Sequence, residues 1–222
     1  MANVITLDGP TSSGKSSVGY LFSQKIGYQF IDTGAIYRAG CIKILDENIP
    51  IDSKEQIIKV FKNLEVDFRS NNGSQHIFLE GIDITDSLHD PNVTEVVPVV
   101  AAIPEVRVEA KRIQRKIGEK TDTVMTGRDI GSEIFPESKL KFFITASPEV
   151  RAQRRFEQLK KVNPEITLEK VLDQMNIRDK ADTEREASPM RIPDGAVIID
   201  TTNLTTEETV SKMMEEFARV RF

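Results

Sequence analysis

The 222-residue sequence has no tryptophan, a single cysteine, two histidines and no apolar run near the roughly 18 residues that a membrane helix requires. Each shortage removes a class of explanation. One thiol, Cys41, cannot close an internal disulfide, so the chain is held by its core, and a lone cysteine reads as a small packing residue. His76 and His89 have no carboxylate or thiol companion at ligand spacing, which sets aside metal centres built on histidine. Thirty Lys and Arg against 35 Asp and Glu leave a net charge of −5, so the surface as a whole does not draw polyanions and no nucleic-acid partner is expected. The opening Met1-Ala2-Asn3-Val4-Ile5 lacks the basic segment and apolar stretch of a secretory leader, and the expected location is cytoplasmic, without membrane attachment.

What is there is a globular composition, 39% hydrophobic and 29% charged, with length enough for one domain carrying insertions at about 150 residues per domain. Val4–Leu7 reads as a buried strand that breaks at Asp8-Gly9-Pro10. Val18, Leu21, Phe22 and Ile26 recur at helical spacing up to a capping Gly27. A second strand over 28–31 and a helix over about 35–45 follow, and this β-α-β-α order implies a parallel sheet. Ser53-x-x-Gln56 and Asn92-x-x-Glu95 read as helix caps. Between them, 64–68, 76–80 and 82–85 alternate apolar with polar around the 70–74 turn cluster, the pattern of a small antiparallel insertion. Pro104 restarts a helix with a stripe of Val106, Ala110, Ile113 and Ile117; 122–126 and 140–145 supply further strands. Residues 151–185 form one helical, locally basic stretch, and a last strand at 196–199 precedes a helix capped by Thr205-x-x-Glu208.

The chemistry begins at Gly9-Pro10-Thr11-Ser12-Ser13-Gly14-Lys15-Ser16, which matches G-x-x-x-x-G-K-[ST] between a strand and a helix. Small residues there let the backbone wrap a polyphosphate, with Lys15 reaching the outer phosphates and the Ser16 hydroxyl placed for Mg²⁺. Residues 9–16 together with Ser17 are therefore the expected ATP site. Such a loop serves nucleotide-driven switches and phosphoryl transfer alike. The guanine-reading string N-K-x-D is absent, which weighs against a GTPase switch. A small-acceptor kinase needs a second anion site, for which arginine suits because its planar fork grips phosphate and keeps its charge on burial.

Asp32-Thr33-Gly34-Ala35-Ile36-Tyr37-Arg38, Gly127-Arg128-Asp129-Ile130-Gly131 and Arg178-Asp179-Lys180-Ala181-Asp182-Thr183-Glu184-Arg185, in this order after the loop, resemble the bacterial cytidylate kinase family over nearly the whole chain. The resemblance implies a P-loop NTPase three-layer α/β sandwich with a central parallel sheet of about five strands, a small antiparallel insertion and a helical lid. The implied divisions are core at 1–62, 93–150 and 187–222, a monophosphate-binding insertion at 63–92 and the lid at 151–186. It implies Mg·ATP as donor and CMP, with dCMP, as acceptor for a monomeric enzyme. Lys15, Arg128 and Arg178 would carry catalysis. Arg38 and Arg128 would clamp the acceptor phosphate, Arg107 and Asp129 would recognise cytosine with Arg185 and Thr33 nearby, and Arg178 with Asp182 would reach sugar and phosphates. One of Arg151, Arg154 and Arg155 would touch ATP. Where the family carries a sugar-binding serine, this chain has Pro98, which implies altered sugar contacts. The loop also reads Thr11-Ser12-Ser13 where relatives are richer in Gly and Ala. Alternatives from the residues alone are another small-acceptor kinase, acting on UMP, another nucleotide or shikimate, and a nucleotide-gated RNA-binding module using the 151–185 stretch. Arg128-Asp129 can also be a structural ion pair at a helix entry, and Arg178-Asp182, at i and i+4, an ordinary solvated helix pair.

Overall fold

Five parallel strands carry the molecule, in the spatial order β2-β6-β1-β7-β8, as seen in a computed structural model that describes residues 2–71, 74–161 and 163–221. They are β1 (Val4–Asp8), β2 (Gln29–Asp32), β6 (Thr123–Thr126), β7 (Leu140–Thr145) and β8 (Val197–Asp200). In register, Ile5 lies between Val124 and Leu140, and Leu7 between Thr126 and Phe142. β1 is buried along its whole length, as a central parallel strand covered on both faces must be.

Alternation along these strands feeds two cores. Ile5, Leu7, Phe30, Val124, Phe142 and Ile144 pack against α1 (Lys15–Ile26) and α8 (Thr206–Arg219) through Val18, Phe22, Val210 and Met213. Val4, Ile31 and Met125 face the other side, toward α2 (Gly34–Asp46), α3 (Lys54–Lys62), α4 (Pro91–Ala101) and α5 (Pro104–Gly118). Cys41 is fully buried in that second core, and burial pushes its thiol up to about 12, in keeping with a packing role.

The insertion is a three-stranded antiparallel sheet, β3 (Val66–Asn71), β4 (Ser74–Leu79) and β5 (Ile82–Asp83), whose Phe68, Ile77 and Leu79 join the α2 side of the core. The expected turn at 70–74 includes Asn72 and Gly73, which lie outside the described residues. His76 pairs with Asp83 at 2.8 Å on the exposed face of this sheet.

Three local expectations are corrected. Ser53 stands at the N-cap of α3 but its hydroxyl makes no cap bond, so the predicted capping box is absent. The cap of α4 is Asp90 rather than Asn92: its carboxylate accepts from the Asn92 N–H at 2.8 Å, because Pro91 occupies the first turn and moves the helix start back. The basic stretch is two helices, α6 (Pro148–Lys160) and α7 (Leu168–Glu184), interrupted around Pro164, whose ring supplies no helical N–H. Thr205 with Glu208 does form the reciprocal capping box on α8.

Candidate active site

The carboxyl ends of β1, β2 and β6 open side by side, and each runs into one of the three motif loops. After β1 the chain must turn against β7. Gly9 takes φ +143°, and a Cβ there would stand 2.0 Å from the Ile144 carbonyl oxygen, so only glycine fits. Ser12 adopts φ +59°, and Gly14, at φ +93°, caps α1 with no side chain on the helix N–H groups. Those groups are left for an anion.

Lys15 is 6% exposed, and its ammonium donates back to the Pro10 carbonyl at 2.6 Å and to Ser13 Oγ at 3.3 Å. Burial, reinforced by repulsion from Arg128, holds Lys15 well below the usual lysine range. Incoming phosphate negative charge opposes both effects and favours the ammonium. Ser16 Oγ donates to Asp32 Oδ2 at 2.7 Å, and Asp32 Oδ1 accepts from the Gly34 N–H at 3.0 Å. An exposed hydroxyl backed by a carboxylate is a hard oxygen set that suits Mg²⁺. Among the described residues no cluster of three or more His, Cys, Asp or Glu can hold a metal unaided, so the ion fits here only together with nucleotide phosphates.

The loop after β6 is fastened to β1 by a carboxylate the sequence reading passed over. Asp8 accepts from the Ile130 N–H at 2.8 Å and the Gly131 N–H at 2.7 Å. Burial raises it to about 6 against the lowering effect of these two bonds. With the loop so held, the adjacent Arg128 and Asp129 find different partners. Arg128 Nε donates to Asp182 Oδ2 at 3.0 Å, while Asp129 Oδ2 accepts from Arg107 at 2.5 Å, with Arg185 at 3.7 Å. They do not form an ion pair with each other.

Around Asp129 the groups are mostly buried. Burial alone would lower Arg107, but Tyr37 and Asp129 outweigh it and hold the guanidinium above its ordinary range. Arg107 lies over the Tyr37 ring at 5.7 Å, and burial pushes the Tyr37 hydroxyl up to about 12. Arg107 Nε and one terminal nitrogen of Arg185 are buried without a hydrogen-bond partner. Thr33 Oγ1 is spent on the Thr126 carbonyl at 2.8 Å, so its structural bond is plain.

Arg38 donates to the Leu88 carbonyl at 2.8 Å and to Thr94 Oγ1 at 3.1 Å, tying α2 to the insertion side. Asp182 pairs with Arg128 and Arg185 and not with Arg178, although Arg178 stands one turn away. Arg178 is lowered by loss of hydration and by repulsion from Arg128, Arg38 and Arg155. Arg38 in turn is lowered by burial and by Arg155. These guanidinia repel one another and are only partly offset by Asp32 and Asp182, an arrangement that favours an anion.

The three arginines of α6 divide. Arg151, 6% exposed, bonds the Ala146 and Thr11 carbonyls and Asp179; Arg154 holds both polar oxygens of Thr201; Arg155 donates to Gln158 at 3.2 Å and repels Arg38. Asp179 was missed, though its spacing of three from Asp182 on α7 is a signal for a shared face. The helices α6 and α7 also close their own small apolar cluster of Ala152, Val171 and Met175, separate from the two main cores.

The family model for cytidylate kinase matches residues 5–219. Cytidylate kinase of Caldanaerobacter subterraneus subsp. tengcongensis is 42% identical over 95% of this chain and 92% of its own length, and that of Bacillus thuringiensis is 39% identical over 95% and 93%. In fold alone, the chain is similar to a protein of Eubacterium ventriosum (TM-score 0.56, 12% identity, 99% of this chain and 100% of that one) and to a gluconokinase of Sinorhizobium meliloti (TM-score 0.50, 17% identity, 98% and 92%). With the family match running through the P-loop, the insertion and the lid alike, the chain belongs to the cytidylate kinase family.

Proposed function

We propose that the enzyme transfers the γ-phosphoryl group of Mg·ATP to CMP, and to dCMP, acting as a cytoplasmic monomer without nucleic-acid partners. The observation that carries the site assignment is the continuous chain of contacts from the phosphate loop to a buried base-reading pair: Thr11 to Arg128, Arg128 to Asp182, Asp182 to Arg185, Arg185 to Asp129, Asp129 to Arg107. Donor loop and acceptor pocket share one charged cleft.

In this reading residues 9–17 cradle the donor phosphates, and Lys15 leaves the Pro10 carbonyl to follow the negative charge of the transferred group. Mg²⁺, with Ser16 as protein ligand and Asp32 behind it, neutralises phosphate charge when bound. Arg38 and Arg128 hold the acceptor phosphate, with Arg155 and Arg178 facing it from the lid. Asp129 accepts from the exocyclic amine of cytosine, a donor that uracil lacks, and Arg107 donates to the ring acceptors. An oxygen of the acceptor phosphate forms a bond to the γ-phosphorus as the bond to the bridging oxygen of ADP breaks. That oxygen is already anionic, so no strong base is needed, and the arginines contribute position and charge.

The lid of 151–186 is supported as a separate unit by its own apolar cluster and its polar attachments to the core, and its closure would exclude water. The core and insertion divisions at 63–92 remain part of the same reading. Pro98 is exposed within α4 and offers neither hydroxyl nor N–H, so sugar contacts fall to the lid. The test is ADP release with CMP, dCMP, UMP, AMP and shikimate as acceptors. CMP should be the best substrate with dCMP close behind; no turnover with CMP would end the proposal.

A further inference from the structure

All three polar groups of Thr11 are engaged by residues from elsewhere in the chain. Its N–H donates to Asp179 Oδ1 at 3.0 Å, its carbonyl accepts from Arg151 at 3.0 Å, and its hydroxyl accepts from a terminal nitrogen of Arg128 at 2.9 Å. Asp179 and Arg151 belong to the two lid helices and also pair with each other. Arg128 belongs to the loop after β6. Thr11 itself belongs to the phosphate loop. One residue therefore joins the donor loop, the lid and the acceptor side.

The hydroxyl has a specific geometric effect. A guanidinium carries five N–H donors in a rigid plane. In Arg128 three are committed, to Asp182 Oδ2, the Gly127 carbonyl and Thr11 Oγ1, which leaves two for a ligand. Asp182 and Gly127 fix two corners of the plane, and Thr11 fixes the third. The remaining donors then have one direction rather than several. Because the third corner sits on the phosphate loop, any shift of that loop on filling with a nucleotide is felt at Arg128, and an acceptor that draws on Arg128 is felt at the loop.

We propose that Thr11 is a positioning residue whose hydroxyl couples the two nucleotide sites through Arg128, so that donor and acceptor strengthen each other's binding. The proposal rests on the CMP kinase reading. Affinity for CMP rises when the donor site is filled, and the Thr11 oxygen carries that gain. Its methyl and backbone bonds serve the fold instead. A bulk or folding role would respond to side-chain size, whereas a coupling role responds to the oxygen.

The test compares Thr11→Val, which keeps the branched shape and removes the oxygen, with Thr11→Ser, which keeps the oxygen. CMP titrations are made with and without a nonhydrolysable ATP analogue, beside steady-state kinetics and thermal melts. In the native enzyme the analogue should tighten CMP binding by about fivefold or more. In Thr11→Val that ratio should fall toward one, and KM for CMP should rise by about tenfold with a smaller change in kcat, as for a lost bond to a charged group. Thr11→Ser should keep the native ratio. If Thr11→Val does not fold, Thr11→Ala removes the same oxygen without the bulk and reads the same ratio. An unchanged ratio in the variant lacking the oxygen, a Thr11→Ser that behaves like Thr11→Val, or no coupling in the native enzyme overturns the proposal. Absence of turnover with CMP in the native enzyme would instead sink the underlying functional reading.

Discussion

Arg107 and Asp129, 22 residues apart in sequence, meet at 2.5 Å with 7% and 6% of their surfaces exposed. A buried ion pair of this kind owes much of its cost to whichever partner is left alone. Asp129→Ala leaves Arg107 and Arg185 facing each other without their shared carboxylate. KM for CMP should rise by about tenfold or more, the size of one lost base contact, while KM for ATP stays within about twofold. The melting temperature should also fall. An effect confined to the ATP parameter would contradict the assignment of Asp129.

Lys15 is buried, bonded to Pro10 and Ser13, and held low by burial and by Arg128. Lys15→Met keeps the length and removes the charge. Steady-state kinetics should show kcat reduced by about 100- to 1,000-fold, as for other lost transition-state donors, with the circular dichroism spectrum unchanged. Retention of a tenth of native kcat would place the transferring charge elsewhere.

For Asp8 the sign of the pH effect follows from burial. Its carboxyl is raised from 3.8 to about 6 in the fold, so the folded state favours the protonated form. The associated stability is fully present below about pH 4 and is lost as the pH rises through 6, a term of about 3 kcal/mol for a shift of this size. Carbon-detected NMR of the Asp8 carboxyl should titrate near pH 6, and Asp8→Asn should flatten the stability change between pH 4 and 6. A midpoint at or below 4 would show that the Ile130 and Gly131 N–H bonds dominate over burial.

The helices α6 and α7 have their own apolar seal. Val171, 1% exposed, packs with Ala152 and Met175, apart from the two cores of the sheet. Val171→Ala removes about 1–2 kcal/mol of burial, and the loss should stay local. Hydrogen exchange should quicken across 148–184 while β1 and β6 keep their protection. A uniform rise in exchange would mean that the lid and sheet unfold together.

Legibility followed distance along the chain. Gly9 and Gly14 announce a phosphate loop because the turn, the close approach to β7 and the helix start are decided within a few residues. The alternation in 64–85 gave away the antiparallel insertion for the same reason, and Thr205 with Glu208 closed its box as read. Ser53 looks the same on paper and does not cap, its ψ of 76° departing from the 147° and 167° of the bonded caps Ser147 and Thr205. Asp8 carries no local mark and Asp179 only its spacing of three from Asp182, and neither shows its partner: one reaches 122 residues to the Ile130 N–H, the other 168 residues to Thr11.

By itself, then, the order of residues determined the strands and helices, the parallel sheet and the phosphate loop, all of which depend on side-chain period, backbone freedom at glycine and nearby hydrogen bonding. Only the tertiary structure decided which charges meet. Asp182 has Arg178 one turn away on its own helix yet bonds Arg128, 54 residues distant, and Arg185. Carboxylates and guanidinia attract one another with nearly the same chemistry everywhere, so the choice among partners belongs to the packing of α7 against the β1 and β6 loops, which brings some within 3 Å and leaves others in the open cleft.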